Sequence, residues 1–367
     1  MIRKLLATSV AGIALCFALP ALVSNPALAQ FYGDSATIVQ NGETNGYASQ
    51  SQPGVEGNTA YIAQSGGTGD VATQQQNGGS FSGDWAWNGT QGITQTTNTS
   101  AQAYQTDNSG GGTQTITQTN NNPSGLTNTT ATQTINSANV SGGPVLNNSQ
   151  TATQTSNSGS SISQIIGLSN TPTSTAAENA QVATQTGQTG STITQVVDGN
   201  LANGNVQNAE QTSGANNTIN QTTLLSGQSN TQTASIDYGN GNTANQFQTG
   251  SNGTQTATIS NGNSNNVTQT QGGSFNGQTA TIAYGSNNNV SQYQGVGGSN
   301  VQNAYVYNSS GGLIVQQQND GSSNGNQSAY QTNNYGANQI YQTQSTPGNI
   351  ATATQTGGSG NVSIQKQ

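Results

Sequence analysis

The side chains best equipped for chemistry in this sequence are 11 carboxylates, which stand singly along 367 residues with no histidine and only 3 basic side chains. A general acid–base pair needs two titratable groups within hydrogen-bond reach, and a zinc site or nucleophile relay needs histidine or cysteine. The single cysteine, Cys16, lies near the N-terminus and has no such partner in sequence. Asp70, Asp198, Asp237 and Asp320 fall in or beside Gly/Asn-rich intervals, where carboxylates form turns and guard against lateral association. The stretch Gly66-Gly67-Thr68-Gly69-Asp70-Val71 is similar to a calcium-binding nonapeptide, but its Asp is one position early and the pattern does not recur. The expectation is a non-enzyme with no cofactor and no metal.

The basic residues sort the remaining classes. Arg3 and Lys4 precede an apolar run from Leu5 to Val23, and Ala27-Leu28-Ala29 offers the small-x-small pattern of a signal-peptidase site, so cleavage is expected before Gln30. Pro26 and the polar sequence beyond it argue for a cleaved signal over residues 1–29 and against a membrane span. Processing removes Cys16, Arg3 and Lys4, leaving Lys366 alone against 11 acidic side chains. Phosphate binding needs clustered Lys and Arg, so nucleic acid is not an expected partner. Disulfides are excluded as staples although export would permit them.

What must position any function is therefore polar. Only 29% of residues are hydrophobic and 4% charged, while Gly contributes 49 and Pro 7. Low hydrophobicity alone would mean disorder, but disorder is usually accompanied by high net charge or abundant proline. A chain poor in both, and rich in Gln, Asn and Thr, favours pairing with itself.

Repetition supports that view. Gln255-Thr256-Ala257-Thr258-Ile259 recurs 23 residues later as Gln278-Thr279-Ala280-Thr281-Ile282, with relatives at Gln232/Ala234/Ile236, Gln302/Ala304/Val306 and Gln327/Ala329/Gln331. A second kind of segment lies between them, centred ten residues after the first at Val267, Val290 and Ile314. Informative residues occupy every second position, which is the period of a β-strand, and Gly and Asn fill the intervals. Pro53, Pro123, Pro144, Pro172 and Pro347 all fall in the connection after a second-type segment, where no ladder N–H is needed. About 14 repeats are expected, with second-type centres at Ala48, Val71, Ile93, Ile116, Val140, Ile162, Ile193, Ile219, Ala244, Val267, Val290, Ile314, Ile340 and Val362. Trp85-Ala86-Trp87 fits the scheme poorly, and an insertion occupies Ser169 to Ala177.

The fold class that follows is all-β: a solenoid of two-strand units spanning residues 30–367, stacked about 4.8 Å apart so that each inward Gln or Asn lies over its equivalent. An unpaired buried amide costs roughly 2–7 kcal/mol, so the ladder works only if register holds through many copies. Asn58-Thr-Ala60-Tyr-Ile62-Ala-Gln64 and Asn349-Ile-Ala351-Thr-Ala353-Thr-Gln355 spell N-x-A-x-x-x-Q, and Ser286 to Gln292 spells S-x5-Q. Both halves resemble the curlin repeat of bacterial curli fibre subunits. The resemblance implies a secreted functional amyloid of the biofilm matrix, with roles in adhesion and surface attachment. It also implies that the chain polymerises with itself, with a nucleator subunit and an outer-membrane export pore as further partners. By the same resemblance Asn58, Gln64, Ser286, Gln292, Asn349 and Gln355 are inward amyloid-core residues. The periodicity adds Ala60, Ile62, Gln255, Ala257, Ile259, Val267, Gln269, Gln278, Ala280, Ile282, Val290, Ala351 and Ala353 to the expected self-assembly core. One departure from the repeat is that Ile236, Ile259, Ile282 and Val306 stand where it has Gln.

Two outward features round out the reading. Thr254, Thr256, Thr258, Thr279 and Thr281 form a partial lattice of the kind an ice-binding solenoid presents, interrupted at Val301, Asn303 and Tyr305. Threonine is also simply a good solvent-facing strand residue. Tyr305, Tyr307 and Tyr330 are expected to pack along the outer sheet face. Segments from Asp34 to Gln40 and around Val362 and Ile364 are expected to be strands with open edges that template further pairing.

Overall fold

The computed structural model describes residues 28–29, 35–52, 58–76, 89–108, 112–121, 128–136, 147–167, 178–198, 203–224, 228–319, 321 and 323–367. These build two parallel sheets through which the chain alternates strand by strand. Sequence-adjacent strands therefore never pair with each other; each pairs with the strand one coil away. The first coil joins Ser35–Asn41 to Tyr47–Gln52, the second Thr59–Ser65 to Val71–Gln76, and the third Thr90–Thr96 to Gln102–Asp107. The last joins Ile350–Thr356 to Val362–Lys366. The first sheet has 13 strands, which sets the number of coils at thirteen where about fourteen were expected. The second sheet has a fourteenth, short strand, Leu28–Ala29, paired with Ser51 and Gln52 of the first coil.

The corners explain the Gly and Asn content. Within a coil the first strand leaves through a short corner whose opening and fourth residues have positive φ, as at Gly66 and Gly69 (65° and 68°) or Asn261 and Ser264 (54° and 56°). Gly adopts that region without steric cost and Asn with little. No described strand contains proline: Pro347 sits in the turn after Gln339–Gln344, and Pro53, Pro123, Pro144 and Pro172 lie outside the described residues. So do Trp85, Trp87, the 169–177 insertion, Asp320 and the signal segment up to residue 27.

Several expected centres move. Ile93 and Ile116 belong to the first sheet, and the second-sheet positions of those coils are Ala103 and Ala131. Val71 points outward while Ala72 is buried. Val362 is 57% exposed, because Gln365 pairs in register with Gln342 and so aligns Ser363, not Val362, with Ile340. Val140 lies outside the described residues. The common cause is that the glutamine column, not the nearest aliphatic residue, fixes the register.

Candidate functional site

Each coil directs three residues of each strand into the space between the sheets, and stacking turns these into six columns. The central column of the second sheet is glutamine without interruption from Gln50 through Gln74, Gln105, Gln133, Gln164, Gln195, Gln221, Gln246, Gln269, Gln292, Gln316 and Gln342 to Gln365. Each Nε2 donates to the Oε1 of the next coil, as in Gln221 to Gln246 (2.8 Å), Gln246 to Gln269 (2.9 Å) and Gln269 to Gln292 (2.8 Å). Its second hydrogen crosses the core to a main-chain carbonyl of the opposite sheet, Gln269 to Thr256 O at 2.9 Å and Gln292 to Thr279 O at 3.0 Å. One amide thus ties coil to coil and sheet to sheet. Each such bond contributes about 0.5–1.5 kcal/mol net, whereas a buried partner left alone costs about 1–3 kcal/mol.

The first sheet repeats the device. Its leading column runs as glutamine from Gln91 to Gln327, with Ala36, Ala60 and Ala351 at the two ends. Its third column is glutamine from Gln40 to Gln211, aliphatic at Ile236, Ile259, Ile282 and Val306, and glutamine again at Gln331 and Gln355. The aliphatic columns compensate each other in most coils, Ala234 opposite Ala244 being an exception. Where the first sheet supplies Ile62, Ile93 and Ile116 the second supplies Ala72, Ala103 and Ala131; from Ala152 onward the order reverses, with Ile162, Ile193 and Ile219 opposite alanine. Close packing between two sheets at fixed spacing demands that exchange.

Every glutamine ladder points the same way, donating from the N-terminal coil toward the C-terminal one. Buried oxygens without a hydrogen-bond partner include Oε1 of Gln50, Gln52, Gln91, Gln248 and Gln331, and each opens a run of glutamines. At the other end, Gln342 donates to Gln365 (2.7 Å) and Gln344 to Gln367 (3.2 Å). Asparagine at the corners forms a further ladder: Asn265 Oδ1 accepts from the Asn288 amide (3.0 Å), and Asn288 Oδ1 from the Gly312 amide (2.8 Å).

Of the expected core residues, Asn58, Ala60, Ile62, Gln64, Gln255, Ala257, Ile259, Val267, Gln269, Gln278, Ala280, Ile282, Val290, Gln292, Ala351, Ala353 and Gln355 are all buried. Ser286 is not: it lies half-exposed in the corner, bridged to Ser310, and Asn288 takes the inward place. The alternation cannot be carried from Gln292 back to Ser286 because the chain turns left-handed at Asn287 (φ 58°). Asn349 occupies the expected column, but its side chain turns out to Thr346 Oγ1. The asparagine ladder of the corner within each coil is readable in the sequence as Asn two residues before an inward aliphatic, at Asn217, Asn265 and Asn288.

No protein-family model matches the chain, and no curated protein matches it. The functional reading rests on geometry, and on three outer features in particular. The first is the pair of end faces: Ile350–Thr356 and Val362–Lys366 each have one strand edge unpaired among the described residues, as does Ser35–Asn41 at the other end. The second is a threonine lattice larger than the expected one. Thr113, Thr115, Thr117 and Thr119 stand over Ser149, Thr151, Thr153 and Thr155, and the last two columns continue through Thr94 and Thr96 on one side and Thr184 and Thr186 on the other. The third is aromatic: Tyr305 and Tyr307 stack 6.1 Å apart, Tyr330 lies 6.5 Å from Tyr305, and Tyr284 meets Tyr307 edge-on at 5.6 Å. Among the described residues, no helix is long and apolar enough to cross a membrane.

Proposed function

We propose that this protein is a secreted structural subunit that assembles end to end into curli-like amyloid fibres of a biofilm matrix, serving adhesion rather than catalysis. The observation that carries the proposal is the match between the two end coils. Stacked C-terminal face to N-terminal face, the inward set Ala351, Ala353, Gln355, Ser363, Gln365, Gln367 lies over Ala36, Ile38, Gln40, Ala48, Gln50, Gln52. Alanine heads the leading column only in the first two coils and the last. Gln365 has an amide hydrogen to give in the stacking direction, and Gln50 Oε1 has no donor among the described residues. A second copy satisfies both. Removal of residues 1–29 by signal peptidase, expected from Ala27-Leu28-Ala29, would clear the strand that covers Ser51 and Gln52.

The test is fibre formation by the processed chain. The expected result is thioflavin-positive fibres with a meridional reflection at about 4.8 Å, abolished by Ile364→Pro, which removes an N–H of the free strand edge, combined with Gln365→Ala, which removes the terminal amide. A processed chain that stays monomeric at high concentration, with and without seeds, would reject the proposal.

The threonine lattice supports a second reading, in which the first sheet binds ice. Its measurement is inhibition of ice recrystallisation by the monomer, lost on Thr117→Lys with Thr153→Lys; no inhibition by the parent chain removes this reading.

A further inference from the structure

The first corner contains an arrangement that the ladders do not explain. Glu43, Gly67 and Asn98 occupy one corner column in the first three coils, and Asp70 stands in the column beside it. Elsewhere asparagine recurs in these columns, at Asn98, Asn121 and Asn157 in the first and at Asn217, Asn242 and Asn265 in the second; its oxygen accepts from the next main-chain amide and its nitrogen donates to a main-chain carbonyl, as where Asn98 accepts from the Asn121 amide (2.9 Å) and donates to Gln118 O (3.0 Å). The carboxylates reproduce only the accepting half: Glu43 Oε1 accepts from Gly67 N (3.1 Å) and Asp70 Oδ1 from Ala101 N (2.9 Å). Their other oxygens, Glu43 Oε2 and Asp70 Oδ2, are buried without a partner.

These groups converge. A β-carbon built on Gly67 would strike Asp70 Oδ2, Glu43 Oε1 (2.6 Å) and the main-chain oxygen of Asn98 (2.9 Å). Three oxygens from three successive coils therefore surround the space that a side chain would fill. Asp70 is 0% exposed, so water does not disperse its charge. No side-chain cation is available either: Lys366, the one basic side chain among the described residues, lies in the last coil. A proton can bridge two of the oxygens but not three, whereas a hard cation with flexible coordination takes oxygen ligands of this kind. Glu43 is only half-buried, which leaves room for water to complete the shell.

We propose that Glu43, Asp70 and the Asn98 carbonyl form a binding site for one calcium ion, which clamps the corners of the first three coils. The site is distinct from the end faces invoked for assembly, and it can be tested on the monomer before any fibre forms. Calcium chloride titrated into the chelator-stripped full chain at pH 7.5 should bind once per chain, with a dissociation constant of about 10⁻⁴–10⁻³ M as in extracellular modules. At calcium about ten times that constant, amides of Tyr47–Gln52 and Val71–Gln76 should exchange about tenfold more slowly, with no change in the last three coils. Glu43→Gln and Asp70→Asn should each abolish both effects. Gly67→Ala, whose backbone needs no left-handed conformation, should abolish them by filling the cradle, and it serves if a carboxylate variant fails to fold. Absence of calcium uptake at 10 mM, on the order of ten times the weakest constant expected, would overturn the proposal. So would uptake unchanged in the variants, or protection gained on acidification alone and never with calcium.

Discussion

The coils from Ile135 to Val197 and those from Ile236 to Val306 solve one problem in opposite ways. In the earlier set the third inward column of the second sheet is aliphatic, at Ile135, Ile166 and Val197, while that of the first sheet is glutamine, at Gln118, Gln154 and Gln185. In the later set the roles exchange: Ile236, Ile259, Ile282 and Val306 fill the first sheet, and Gln248, Gln271, Gln294 and Gln318 the second. Thr223, buried and half polar, stands at the handover. The two kinds of column fill the same space, but an aliphatic column can stop anywhere. An amide column cannot, since each restart leaves an oxygen without a donor, as at Gln248 and Gln331.

That asymmetry can be broken most severely in the unbroken column. Gln269→Glu buries a carboxylate between Gln246 and Gln292 and is expected to cost about 3–5 kcal/mol at pH 7, partly recovered near pH 4 where the acid regains a hydrogen to donate. Denaturant midpoints at the two pH values check it. Ile282→Gln, placed between Ile259 and Val306, should cost about 1–3 kcal/mol, because the amide finds no ladder partner on either side. Converting Ile236, Ile259, Ile282 and Val306 together joins Gln211 to Gln331 in one run, so the fourfold variant should lose much less than the sum of the four single changes. Additive losses would contradict the account of restarts.

The first corner gives a smaller, pH-dependent effect. Burial and the neighbouring Asp70 push Glu43 up to about 7, and burial pushes Asp70 up to about 6, opposed chiefly by the hydrogen bond from the Ala101 amide. Both folded values exceed the ordinary 4.5 and 3.8, so the folded corner binds protons more tightly than the unfolded chain. In chelator, hydrogen-exchange protection of the first two coils should therefore be greatest below the unfolded values and be lost as pH rises through about 6 and then about 7. Asp70→Asn should flatten most of this profile. The smallest change expected is a gain: Tyr238 holds a left-handed backbone (φ 48°) in a corner where the next coil has Asn261, so Tyr238→Asn should stabilise by about 0.5–1 kcal/mol.

How far the sequence could be read follows from what sets register. Period-two alternation gave the strands and their inward faces wherever a Gln/Ala/Ile or Val/Gln triplet was intact, as at Gln255-Ala257-Ile259 and Val290-Gln292. It fails where a single aliphatic residue is out of step with its glutamine column: Val362 and Val71 are outward, and Ile93 and Ile116 belong to the other sheet. Alternation also ends at a left-handed corner, so the period-two pattern places Ser286 inward although Asn288 occupies the place. The meeting of Glu43 with Asp70 could not be read at all, since 27 positions separate them in the sequence and only the parallel pairing of Thr44 with Thr68 brings their corners together.

The shared direction of the glutamine ladders reaches beyond any one coil. Two copies meeting by like faces would set carbonyl against carbonyl, so a filament extending these columns cannot reverse its sense. Snapping such a filament would yield halves with unlike tips, one presenting hydrogens and the other lone pairs, and the two tips would lengthen at unequal speeds.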